Sequence, residues 1–161
     1  AQTAVFTSQG VPFICAGEEA MRDKKGIHNS YQSPDSINAI DWRRKMEHAD
    51  VFAYYKGLIQ LRKNHPAFRL GDADLVRRHL EFLPVEGSNV VAYHLKENAG
   101  GDAWGDIYVI LNSRKEIAKV PVPEGRYTVV CKDGFISEQG LGTIYGPEVF
   151  VPAQSALIFY K

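Results

Sequence analysis

The residues with the most chemistry to offer lie between positions 18 and 42. Glu18 and Glu19 are adjacent carboxylates, Arg22 carries a planar donor fork, and Asn29, Asp35 and Asn38 supply paired acceptors or donors beside the ring face of Tyr31. Such a mixture suits the hydroxyls of a neutral sugar. A second account of the same residues is that Asn, Ser and Asp here only stabilise turns around Pro34. Neighbours on an extended segment point opposite ways, so one of Glu18 and Glu19 is expected to order the loop and the other to meet solvent or a basic partner. Trp42, directly after Asp41, reads as an anchor for this stretch rather than a stacking surface.

Elsewhere the chemistry is sparser. His28, His48, His65, His79 and His94 show no ligand spacing with Cys or Glu, so no metal and no cofactor is expected. Gly100-Gly101 and Gly140-Leu141-Gly142 lack a strand-to-helix context for phosphate binding and read as turns. Cys15 and Cys131 both sit in apolar runs and read as buried thiols, since one pair makes no disulfide framework in a chain of this size. Trp104 and Tyr145 are candidates for a glycan platform or, more commonly for such residues, for filling a sandwich edge.

The elements that position these groups change character along the chain. Residues 1–9 have helical composition and stop at Gly10, which takes a left-handed conformation at low cost. Residues 11–16 are a short apolar run of the kind found in a parallel sheet covered on both faces, with Pro12 near its start. Residues 17–48 have no sustained period, and a loop longer than about 15 residues is usually functional or disordered. A helix over residues 50–64 follows, with Val51, Tyr54, Tyr55, Leu58 and Leu61 on one face, Asp50 placed to cap it and Pro66 to stop it. From Leu80 onward about seven short β-like runs are separated by turn signals, which argues for an antiparallel sandwich or barrel.

Nineteen basic and nineteen acidic residues cancel, so no global field steers the chain toward nucleic acid or an anionic membrane. No apolar run approaches the ~20 residues that span a bilayer. The opening lacks Met, a basic leader and a cleavage motif, so the chain is expected to be a piece of something larger, with its compartment unreadable.

Three segments carry a resemblance. Gly10-Val11-Pro12-Phe13-Ile14-Cys15-Ala16-Gly17-Glu18-Glu19 resembles the eighth-strand segment of the α-amylase superfamily of glycoside hydrolases. Asn29-Ser30-Tyr31-Gln32-Ser33-Pro34-Asp35-Ser36-Ile37-Asn38-Ala39-Ile40-Asp41-Trp42 is similar to the loop after that strand in type I pullulanases. Tyr55-Lys56-Gly57-Leu58-Ile59-Gln60-Leu61-Arg62-Lys63-Asn64-His65-Pro66-Ala67-Phe68 is similar to their eighth barrel helix and its exit. The resemblance implies an α+β chain: the last βα unit of a (β/α)8 barrel over residues 1–70, then an all-β antiparallel sandwich over residues 71–161.

It also implies a parent enzyme cleaving α-1,6-glucosidic linkages in pullulan, starch or glycogen. The family's catalytic carboxylates follow the fourth, fifth and seventh strands, all upstream of Ala1, so no residue here is assigned as catalytic and the chain alone is expected to be inactive. Arg22, Asn29, Tyr31, Asp35 and Asn38 are the candidate substrate-binding residues. The expected partners are an α-glucan and the rest of the barrel. Without that barrel, the apolar faces of residues 1–65 are expected to cause self-association or mobility, while the sandwich folds by itself. The rival readings are a free-standing carbohydrate-binding sandwich and a purely structural buttress.

Overall fold

Side chains alternate across a strand, so a strand apolar at every position must be covered on both faces. That condition sets the architecture of the computed structural model, which describes residues 1–161. Nine strands form: β1 (Leu80–Phe82), β2 (Val90–Leu95), β3 (Ile107–Asn112), β4 (Ala118–Pro121), β5 (Arg126–Lys132), β6 (Phe135–Ile136), β7 (Gly142–Tyr145), β8 (Glu148–Val151) and β9 (Ser155–Tyr160). Seven make one antiparallel sheet in the order β1-β2-β3-β9-β5-β6, with β7 also on β5, while β4 and β8 form a second, two-stranded sheet.

The Ile107-to-Leu111 and Leu157-to-Phe159 runs lie in the middle of the large sheet. Tyr108, Ile110, Leu157 and Phe159 face the small sheet, where they meet Val120, Val149 and Val151. Ile107, Val109 and Ile158 face the other way and pack with Leu61, Ala67, Phe68 and Leu70. An irregular register between Val129 and Cys131 lets both Val130 and Cys131 join this second layer. Burial pushes the Cys131 thiol up to about 11, which leaves it a packing residue rather than a nucleophile.

Five helices precede the sheet: α1 (Gln2–Thr7), α2 (Asp35–Asn38), α3 (Arg44–Glu47), α4 (Ala49–Asn64) and α5 (Ala73–His79). Asp72 caps α5 by accepting from the N–H groups of Asp74 and Leu75 at 2.8 and 3.1 Å. At the other end of α4, Arg69 turns back to donate to the carbonyls of Arg62 and Lys63. Leu58 and Leu61 of α4 are fully buried, Leu61 against the sheet and Leu58 in a small cluster with Tyr55 and Phe6 of α1.

Four expectations are corrected. Residues 11–16 form no ladder with any strand, and Val11 is 94% and Phe13 92% exposed, while Ile14 packs against Phe6, Tyr55 and Leu58. Cys15 belongs to that segment and is exposed, not buried. Asp50 does not cap α4, whose N-cap is His48 with no side-chain bond. The apolar face of α4 is not left bare either, since α1 and the large sheet cover Tyr55, Leu58 and Leu61. In the same packing, residues before position 71 supply the cover for one face of the large sheet.

Candidate functional site

The stretch that carries the candidate residues is held from below by α1 and α4. Gly10 leaves α1 at φ 91°, a turn that glycine makes without strain. Arg62, buried on α4, donates to the carbonyls of Phe6 at 2.8 Å and Ser8 at 2.7 Å, and to that of Gly10. The Phe6 and Ser8 carbonyls are orphan acceptors at the negative end of α1 and that of Gly10 follows in the turn, so a guanidinium is matched there by backbone dipoles instead of a carboxylate. Burial lowers the Arg62 pKa without discharging so strong a base. Tyr93 of β2 donates to the Thr7 carbonyl at 2.9 Å, and Gln9 bridges the Ala67 carbonyl and the Leu70 N–H, both at 2.8 Å.

Beyond the unpaired segment the chain turns at Gly17 (φ 95°), where an added Cβ would come within 2.9 Å of the Arg22 side chain. Glu18 and Glu19 stand in a 3-10 turn, Glu18–Ala20, and not on an extended segment. Glu19 accepts from the Gly17 N–H at 3.0 Å and orders the turn, while Glu18 accepts from the Gln2 amide at 2.9 Å. Tyr55 packs close enough that burial, helped by the Glu18 charge, pushes its hydroxyl up to about 12.

Asn38 is the hub of the loop. Its Nδ2 donates to the carbonyls of Ser30 and Ser33, both at 2.7 Å, and its Oδ1 accepts from Lys24 Nζ at 2.6 Å. Lys24 also donates to Ser30 Oγ at 3.0 Å, and Arg22 donates to the carbonyls of Ala16 and Asn38. Arg22 and Asn38 therefore close the loop upon itself. Asn29, Tyr31 and Asp35 form no side-chain hydrogen bond and are exposed, Tyr31 at 77%. The structure thus brings Arg22 and Asn38 together and leaves the other three displayed on the outside of the ring they close. Trp42 is 60% exposed, and beside it Arg43 holds the Asp41 carboxyl down to about 2 through a side-chain bond.

Lys24 and Arg62 were not singled out for this role by the sequence, and no local signal marks them: their partners lie 14 and 52 to 56 positions away. Trp104 is no open platform. It is stacked between His65 and Tyr160, with ring centroids at 3.5 and 4.0 Å.

Comparison with known proteins bears on this arrangement. Residues 76–134 match the family described as "Pullulanase, all-beta domain". The pullulanase of Bacillus subtilis is 38% identical over 156 residues, covering 89% of this chain and 22% of that protein. A structure of the pullulanase from Bacillus acidopullulyticus superposes with a TM-score of 0.94 at 44% identity, over 99% of this chain and 19% of that one. The type I pullulanase from B. subtilis complexed with maltose gives 0.89 at 37% identity, over 98% and 22%. The α+β fold with antiparallel sheets is therefore that of the carboxy-terminal region of glycoside hydrolases of the debranching kind. By these matches residues 76–134 resemble the all-beta domain of pullulanases, and the chain as a whole is similar to their carboxy-terminal region. It spans about a fifth of the length of the relatives it matches.

Proposed function

We propose that this chain is the carboxy-terminal part of a pullulanase-type debranching enzyme, which hydrolyses α-1,6-glucosidic linkages in an α-glucan such as pullulan, starch or glycogen. Residues 1–70 would complete the catalytic (β/α)8 barrel, and residues 71–161 would form the sandwich behind it. One observation carries the reading. An apolar segment, residues 10–16, joins no sheet and leaves Val11 and Phe13 exposed directly before a polar loop that is internally ordered, in a chain that aligns over nearly its whole length with part of a pullulanase. A strand awaiting neighbours, followed by a substrate-side loop, accounts for both features.

Within that loop, Asn29, Tyr31 and Asp35 are the side chains free to meet a sugar, and Arg22 and Asn38 serve the same site by fixing its shape. The nucleophile and acid that glycoside hydrolysis requires have no counterpart placed here, so the chain alone is inactive. Alone, it also exposes Val11 and Phe13, which favours self-association through residues 10–16. The shared core of α4 and the large sheet supports a second, compatible role, in which the sandwich buttresses the barrel helix.

Two assays test the reading. The purified chain incubated with pullulan is expected to release no reducing sugar; release abolished by a substitution within it would overturn the assignment. Exchanged for the matching region of the B. subtilis pullulanase, the chain is expected to preserve hydrolysis of pullulan. Tyr31→Ala or Asp35→Ala in that chimera should lower kcat/KM, and an unchanged value in both would remove the loop from the site.

A further inference from the structure

We propose that His65, with Asp102 and Glu138, forms a protonation-sensitive clasp that fastens the end of α4 to the sandwich. His65 follows the last turn of α4 and is buried. Its Nδ1–H donates to Asp102 Oδ1 at 2.8 Å, and its ring stacks on Trp104. Asp102 is itself fixed by the N–H groups of Trp104 at 2.9 Å and Ala67 at 3.2 Å. Burial works to raise the Asp102 pKa, but the bonds from His65, Trp104 and Ala67 outweigh it and hold the carboxyl below its ordinary value.

The other ring nitrogen is the anomaly. Nε2 is buried with no hydrogen-bond partner, and Glu138 Oε2 stands 3.8 Å away. In the neutral ring this nitrogen carries a lone pair facing a carboxylate, an unsatisfied and repulsive contact. Adding a proton turns it into a donor toward Glu138, gives the ring an anion on each side, and places a cation against the indole face.

The remaining neighbours do not compete. Asn64 of α4 holds Glu138 through its Nδ2 at 2.9 and 3.0 Å. Arg69 is turned back to the carbonyls of Arg62 and Lys63, Phe68 meets the ring edge-on, and Tyr160 of β9 lies behind Trp104. Asp102 and Glu138 are thus the charged groups facing the imidazole. One proton tightens three segments at once: the end of α4, the turn holding Asp102, and the chain leaving β6.

Trp104 reports on the clasp once Trp42 is replaced. In W42F, acidification from about pH 8 to about pH 5.5, the range in which histidine charges, should quench Trp104 emission and raise Tm by about 2–4 °C. W42F/H65Q should lose both changes. W42F/E138Q, altered at a part-exposed carboxylate, should fold and keep less than half of the Tm rise. His94, paired with Asp106 at 2.8 Å, is common to all three proteins, so the differences isolate His65. Identical pH profiles in W42F and W42F/E138Q would overturn the proposal, as would a Tm that falls on acidification over this range.

Discussion

The large sheet and residues 11–16 are made from similar residue types and end in opposite states. β3 and β9 are apolar runs buried on both faces, one by the small sheet and the other by α4 and the turns around it. Residues 11–16 are also an apolar run, yet Val11 and Phe13 stand in solvent. The difference lies not in propensity but in partners: a strand of this kind is stable only where neighbours satisfy its backbone and cover both faces. One region contains its own partners within the chain, and in the other Val11 and Phe13 have no cover within it.

The comparison can be broken most forcefully at the centre of the sheet. Phe159→Ala should cost about 3–5 kcal/mol by denaturant unfolding, as for other buried aromatics. A loss under about 1 kcal/mol would mean that the sheet is not the stabilising core. Next in size is Arg62→Met, which keeps much of the apolar stem but leaves the Phe6, Ser8 and Gly10 carbonyls without their donor; about 1.5–3 kcal/mol is expected.

Asp102 gives a pH test whose sign is fixed by its lowered pKa. A carboxylate held below its unfolded value lends stability that is fully present above about pH 4 and is lost as pH falls through the folded value. Asp102→Asn should therefore destabilise the chain near neutrality and flatten the acid limb of a Tm-against-pH curve. An unaltered acid limb would show that other carboxylates govern it.

Smaller effects separate the two regions. Asn38→Ala should speed amide exchange across residues 22–38 while leaving β3 and β9 unchanged, because the network it anchors is local. Phe13→Ala should move global stability by no more than about 0.5 kcal/mol, the range of an ordinary surface position. A larger loss would indicate that residues 10–16 are covered in solution.

What the sequence could show follows from the same physics. Residues 107–112 and 148–151 were legible to the residue, since continuous or alternating apolar character between turn signals describes a strand that has found its partners. The helix over α4 was legible from its three- and four-residue spacing, although the period says only that a face is apolar, not what it faces. β6 and β7 escaped notice because the first is only Phe135–Ile136 and the second is interrupted by glycine at its start.

In the loop, the residue types at Arg22 and Asn38 suggested a ligand, while the structure gives their donors and acceptors to the chain's own carbonyls and to Lys24. Residue type alone does not distinguish these uses. The His65–Asp102 pair, 37 positions apart, had no signal in spacing at all.

Hydrogen exchange on the intact chain addresses the central contrast most directly. The account predicts slow exchange in β2, β3, β5, β9 and the second half of α4, with amides of residues 11–16 exchanging close to the unprotected rate in dilute monomer. Protection of residues 11–16 equal to that of β3 in a chain shown by light scattering to be monomeric would contradict it, because the segment would then have partners of its own.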